Sequence, residues 1–205
     1  MGTVMTDSGK VAAGKLVIIS GPSGAGKSTL LTKVFRDSHL PLQWSVSATT
    51  RALRPGEKDG QDYHYLSCEQ FQEKRTQGGF LECFEVYGDG DWYGTLKSEV
   101  APRLQAGDWV VLEIDVEGTR AVLEHYPDAV TIFVRPGTLE QLGERLRARG
   151  TEPEKQIERR LEVAQREMES IQIYRHVVVN NEIDVAASDL CSILDEYESE
   201  AVDSS

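Results

Sequence analysis

Cysteine is scarce here. Cys68, Cys83 and Cys191 are far apart in 205 residues and form no C-x-x-C pair. That pattern offers neither a disulfide framework nor a thiolate metal site, and it suits a reducing compartment, so a cytoplasmic location is expected. Long apolar runs are missing too. None approaches the ~20 residues of a membrane-spanning helix, and Met1–Lys15 lacks the apolar core of a signal peptide. Met1-Gly2-Thr3-Val4-Met5-Thr6 fits a myristoylation pattern, but one acyl chain holds a membrane weakly and no polybasic patch follows. Residues 1–14 are therefore read as an unstructured leader, with no membrane partner. Positive charge is also short: 22 Lys and Arg stand against 34 Asp and Glu, a net charge of −12. A general nucleic-acid binder wants a basic surface, so that class is excluded. No internal repeat is present, and nothing calls for an obligatory protein partner.

Against that background one stretch stands out, Gly21-Pro22-Ser23-Gly24-Ala25-Gly26-Lys27-Ser28-Thr29. It has the spacing G-x-x-x-x-G-K-[ST] of a phosphate-binding loop. The apolar run Leu16-Val17-Ile18-Ile19 precedes it and reads as a buried strand; Leu30-Leu31 with Val34-Phe35 follow at helical spacing. Glycines let the backbone curl so that several N–H groups face one phosphate, and the helix N-terminus adds its positive dipole end. Lys27 supplies a point charge for the β- and γ-phosphates, and the Ser28 hydroxyl a ligand for Mg²⁺. A nucleoside triphosphate is the expected ligand.

Apolar strands alternate with helices at both ends of the chain, which predicts an α/β fold whose parallel sheet is covered on both faces. Strands are expected at Leu16–Ser20, Gln43–Ser47, Tyr63–Leu66, Phe80–Val86, Trp109–Ile114, Ala129–Val134 and Val177–Val179. Ser67 with Gln70, Thr138 with Gln141, and Thr151 with Glu154 have the spacing of capping boxes that open helices. The last of these helices is expected to run to about Gln172. Tyr87–Thr95, with Gly88, Gly90 and Gly94, reads as a loop. From about Gln43 to Thr95 the alternation breaks into short polar strands, the mark of an inserted lobe. After Cys191 come five acids and no base, so 199–205 reads as an acidic tail.

The lobe and its neighbours carry the remaining candidates. Arg51 and Arg54 sit three apart in a turn, with Tyr63 close behind; two guanidinium forks and a phenol suit a phosphate dianion, while the plainer alternative is a solvated basic turn. Phe80-Leu81-Glu82-Cys83-Phe84 puts a carboxylate in an apolar strand. A buried carboxylate needs a partner, and the adjacent N1–H and N2–H donors of guanine would suit it where adenine would not. The alternative is the exposed face of an edge strand. Glu113-Ile114-Asp115 ends a core strand at the edge where open α/β sheets bind ligands; Asp115 would ligate Mg²⁺ or contact the acceptor nucleoside, or merely cap a helix. Arg145, Arg147 and Arg149 end one helix and Arg159 and Arg160 follow on the next, either as dipole partners or as a lid that closes over the phosphates.

Taken together, in this order, these motifs resemble the guanylate kinases, P-loop nucleoside monophosphate kinases. The carrying residues are the glycine loop, Ser45 to Arg51, Arg54-Pro55-Gly56-Glu57, Gly60 to Tyr65, Phe80-Leu81-Glu82, Tyr93-Gly94-Thr95, Arg145 to Gly150, Arg159-Arg160-Leu161 and Val178-Val179-Asn180. The resemblance runs from about Lys15 to Tyr197. It implies a P-loop core (15–46, 96–137 and 173–198), a small mixed GMP-binding lobe (about 47–95) and an arginine-bearing helical lid (about 138–172). It implies transfer of the γ-phosphoryl group of ATP to GMP with Mg²⁺. By the same resemblance Gly21 to Thr29, Arg145, Arg149 and Asn180 would bind ATP. Ser47, Arg51, Arg54, Tyr63, Glu82, Tyr93, Thr95 and Asp115 would bind GMP. Lys27, Arg51, Arg145, Arg149 and Arg160 would share the charge in catalysis, and Ser28 with Asp115 would hold the metal. Two features depart from the family pattern: a longer stretch Gly88-Asp89-Gly90-Asp91-Trp92, and Glu117 in place of a common glutamine, which would add negative charge near the phosphates.

Overall fold

The computed structural model describes residues 14–85, 90–148, 150 and 153–203, with side chains to residue 200. Five parallel strands form the central sheet in the order β2 (Leu42–Trp44), β7 (Trp109–Glu113), β1 (Leu16–Ser20), β8 (Val130–Arg135) and β9 (His176–Val179). β1 is buried along its whole length, as a strand covered on both faces must be. Its side chains alternate between two cores. Val17 and Ile19 join Leu30, Leu31 and Val34 of α1 (Lys27–Asp37) and Leu190 and Leu194 of α7 (Ile183–Asp203). Leu16 and Ile18 face Val100 of α3 (Lys97–Gln105) and Val122 of α4 (Val116–His125). α7 continues to Asp203, so residues 199–203, expected as a tail, extend a helix.

The inserted lobe is a four-stranded mixed sheet, β4 (His64–Tyr65), β3 (Ala48–Thr49), β6 (Trp92–Leu96) and β5 (Phe80–Glu85), backed by α2 (Cys68–Thr76). The Ser67–Gln70 capping box is formed, each side chain bonding the other's backbone N–H. The expected strand Gln43–Ser47 is shorter and starts earlier, as Leu42–Trp44 in the central sheet, and a separate strand, Ala48–Thr49, enters the lobe. The expected loop through Thr95 is a strand instead, because Trp92–Leu96 pairs antiparallel with β5 and Trp92 packs on Phe71 at 5.9 Å. Its glycine misled the sequence reading: Gly94 serves a close approach to β5, not a turn. The longer stretch at 88–92 falls partly outside the described residues.

Two antiparallel-connected helices, α5 (Leu139–Ala148) and α6 (Glu154–Glu169), share a small core of Leu142, Leu146, Ile157 and Ala164. Thr138 caps α5 through the Gln141 N–H. The Thr151–Glu154 capping box lies outside the described residues. α6 ends at Glu169, before the expected Gln172, and a 3₁₀ turn at Ile171–Ile173 leads back into the sheet.

A methyl group at Gly94 would sit 2.8 Å from both Cys83 Cβ and the Glu82 carbonyl and 2.9 Å from Phe80. Backbone cannot retreat as a flexible side chain can, so Gly94→Ala is expected to lower stability by ~1–3 kcal/mol. Urea unfolding with an unchanged m-value checks this.

Candidate active site

The parallel register brings the chemistry to one edge of the sheet. Pairing sets Ile19 of β1 beside Glu113 of β7, and Ser20 beside Phe133 of β8. The chain must then turn sharply away from the sheet. Gly21 does so at φ 138°, where a Cβ would stand 1.9 Å from the Val134 carbonyl oxygen, so only glycine fits. Gly24 and Gly26 also take left-handed conformations, at φ 94° and 87°. The Pro22 carbonyl closes the loop by accepting from the Ala25 N–H, and α1 begins at Lys27. Asn180, just past β9, locks the loop from the side by donating to the Ala25 carbonyl at 2.8 Å.

Lys27 donates to the carbonyls of Gly21 at 2.6 Å and Pro22 at 3.2 Å and stands 4.0 Å from Glu113. Burial pulls its ammonium below the ordinary lysine value, against the opposing pull of Glu113, Glu167 and Asp115. The Ser28 hydroxyl donates to both Glu113 oxygens, at 3.1 and 3.2 Å. The carboxylate beside Ser28 is therefore Glu113. Asp115, named from the sequence, accepts from the Gly118 N–H at 2.7 Å and caps α4, while also lining the neighbouring cavity. Glu113 is the last paired residue of β7, beside Ile19 where β1 runs into the glycine loop, and Asp115 lies beyond the strand at the N-cap of α4. Among the described residues no group of three or more His, Cys, Asp and Glu is placed to hold a metal ion by itself.

A cavity of about 190 Å³ separates the loop from the lobe. Ser47, Tyr63, Glu82, Tyr93 and Asp115 line it together with Glu113. Glu82 is 9% exposed, and its Oε1 accepts from the Thr95 hydroxyl at 2.6 Å. Burial pushes the Glu82 carboxyl up to about 7; the Thr95 hydrogen bond only partly offsets this. Arg51 sits at the cavity's rim and donates its Nε–H to Tyr93 Oη at 3.1 Å. Arg54 is exposed on the same turn.

The helix pair approaches from the opposite side. Leu142 and Leu146 lie against Gly24 of the loop. Arg145 donates to the Asn180 carbonyl at 2.8 Å. Arg160 Nη1 is 3.5 Å from the Ser23 hydroxyl. Arg147 turns away and is held by Glu154. Arg149 lies outside the described residues. Thr29 is exposed at the start of α1. Glu117 is exposed, 3.7 Å from Arg120, and does not line the cavity.

Sequence comparison places the chain. A guanylate kinase family model matches residues 13–197. The chain belongs to the guanylate kinase family. It is 53% identical over 183 residues to a guanylate kinase of Rhodopirellula baltica, covering 88% of this chain and 87% of that one. It is 46% identical to one of Desulfitobacterium hafniense, covering 88% and 89%. The crystal structure of a guanylate kinase from Anaplasma phagocytophilum superposes with a TM-score of 0.73 at 29% identity, over 91% of this chain and 87% of that chain.

Three residues at the site were given no role from the sequence. Glu113 could be found as the acid that ends an apolar strand. Glu57 stood in view as one of two acids, with Asp59, in a basic turn. Glu167 of α6 had no signal, since it is one of seven acids on a charged helix pair; its Oε2 is buried without a hydrogen-bond partner, and burial raises its pKa.

The buried Glu82 has a stability consequence. Its folded pKa of about 7 lies above the ordinary 4.5, so the folded state binds the proton more tightly. The penalty is thus absent below pH 4.5, grows as pH rises to 7, and is complete above it, at ~3 kcal/mol. Glu82→Gln is expected to be more stable than wild type at pH 8 and to lose most of that advantage at pH 5. Denaturant unfolding at the two pH values would read this, and an equal difference at both would refute it.

Proposed function

We propose that the chain transfers the γ-phosphoryl group of ATP to GMP, giving ADP and GDP, with the glycine loop as the ATP site and the Glu82 cavity as the GMP site. The observation that carries this reading is the placement of Glu82, Ser47, Tyr63 and Tyr93 around one cavity that also reaches Glu113, the partner of Ser28. Two phosphate-bearing ligands held there would meet end to end.

Each residue then has a defined task. Backbone N–H groups from Gly21 to Thr29 and the start of α1 hold the β- and γ-phosphates. Lys27 neutralises their charge. Ionised Glu82, oriented by Thr95, accepts the N1–H and N2–H of guanine, with Ser47 and Asp115 beside the base. Adenine would set an acceptor against that carboxylate and leave it unpaired. Arg51, Arg54, Tyr63 and Tyr93 hold the GMP phosphate. Ser28 and Glu113 suit Mg²⁺, which takes one or two carboxylates, a hydroxyl and substrate phosphates and keeps several waters. When bound it would screen the phosphate oxygens. A GMP phosphate oxygen attacks the γ-phosphorus in line, its new P–O bond forms as the bond to the β–γ bridging oxygen breaks, and ADP leaves. Arg145, Arg149 and Arg160 bring positive charge to the transferred group as the helix pair closes and excludes water. Asn180 keeps the loop in shape on the adenine side. In this reading residues 15–198 form one kinase unit with core, GMP lobe and lid.

The three cysteines are free, and no described helix is long and apolar enough to cross a membrane. The free thiols suit a reducing compartment such as the cytoplasm.

Lys27→Ala is expected to lower turnover by at least about 10²-fold with the fold intact; near-native turnover would remove the loop from the mechanism. A coupled assay with GMP, AMP, dTMP and UMP tests the base site. Wild type should use GMP far better than the others, and Glu82→Gln should lose about tenfold or more of its preference for GMP over AMP. Unchanged discrimination would refute the base-reading role.

A further inference from the structure

Arg51 is already nearly saturated. A guanidinium has five N–H donors. Here Nε–H goes to Tyr93 Oη at 3.1 Å; Nη1 donates to the Ala52 carbonyl at 2.8 Å and to Glu57 Oε2 at 3.0 Å; Nη2 donates to Glu57 Oε1 at 2.9 Å. One N–H remains. Its positive charge is also balanced, because Glu57 faces it through both oxygens. Glu57 does more than pair with Arg51. Its Oε2 accepts from the Arg54 backbone N–H at 2.8 Å and from the Tyr65 hydroxyl at 2.7 Å. One carboxylate therefore ties the Arg51 side chain, the backbone of the turn that carries Arg54, and the strand that follows Tyr63. The rings of Tyr63 and Tyr65 flank the same guanidinium at 5.4 and 5.8 Å.

We infer that Glu57 is a positioning residue for the acceptor phosphate: it clamps Arg51 and its turn so that one chosen N–H of Arg51, with Tyr63, Tyr93 and Arg54, defines where the phosphate sits. This rests on the phosphate role proposed above for Arg51. The clamp is ionised at any working pH, since Arg51, then Tyr65 and the Arg54 N–H, hold the Glu57 carboxyl at about 2. A fork held on two sides loses little conformational freedom when the phosphate arrives, which is what a side chain with several rotatable bonds otherwise pays.

The sign of the effect separates positioning from charge. Glu57 is a negative group beside the site for a dianion, so by charge alone its removal should tighten GMP. By positioning its removal should weaken GMP, because glutamine cannot accept from both Arg51 nitrogens. GMP and ATP binding are measured by calorimetry on wild type, Glu57→Gln and Glu57→Asp. Wild type must bind GMP; if it does not, the GMP site itself is misassigned. Given that, the dissociation constant for GMP is expected to rise about tenfold or more in Glu57→Gln, with that for ATP within about twofold. Glu57→Asp keeps the charge but falls short of the fork, and should show a comparable loss; it also decides the matter if the glutamine variant does not fold. In an Arg51→Ala background Glu57→Gln should add little. Unchanged or tighter GMP binding in a folded variant, or an equal loss with and without Arg51, would overturn the inference.

Discussion

The hydrogen-bonded register of β1 between β7 and β8 is the constraint on which the site depends. Parallel pairing aligns the carboxyl ends of neighbouring strands, so one residue of slip would move every side chain to the other face. Here the register sets Glu113 beside Ile19 and the Val134 carbonyl beside Gly21. The first gives the loop its carboxylate. The second forces the chain to leave the sheet at a residue without a Cβ. Asn180, delivered by β9 at the same edge, closes the ring of contacts on the loop at Ala25. Glu113, Val134 and Asn180 are each far in sequence from the loop they meet.

Three carboxylates near the site meet three different fates, set by their partners. Glu57 is tied to a guanidinium, a phenol and a backbone N–H and stays ionised. Glu113 lies between Ser28 and Lys27, part-exposed at the end of its strand. Glu82 has one hydroxyl for company and is buried, so its charge is disfavoured in the free protein. An ionised group kept short of partners is a poor choice for stability and a good one for selecting a ligand that supplies the missing donors. In the function proposed above, the lobe gives up stability at the residue that would meet the base.

The architecture also separates what must be rigid from what must move. The central sheet shares its two large cores with four helices. The lobe is built around Ala48, Phe71, Phe80 and Leu96, and the helix pair around Leu142, Leu146, Ile157 and Ala164. Each unit thus has a small core of its own, while Leu81 of β5 also packs into the second core of the central sheet and Leu142 and Leu146 reach Gly24 of the loop. Apart from Asp115, which caps α4, the residues proposed for the acceptor sit in the lobe, and Arg145 and Arg160 sit on the helix pair.

Much of this was written locally. The glycine loop, the buried β1, the helix after it and the Ser67–Gln70 cap follow from residue type and spacing, since each is stabilised by neighbours a few positions away. The resemblance to guanylate kinases was legible for the same reason: its motifs are short and ordered. What spacing could not supply was pairing across the chain. Gly94 looked like a loop residue until β6 was seen against β5; Glu113 was only an acid at a strand end until the β1–β7 register set it beside the glycine loop and the Ser28 hydroxyl; Glu57 was an acid in a turn until Arg51, Tyr65 and the Arg54 N–H converged on it. Sequence determines which groups can bond and how the backbone can bend over a few residues. Which distant groups come within 3 Å of each other is decided only when the sheets close, because that distance depends on every register between them.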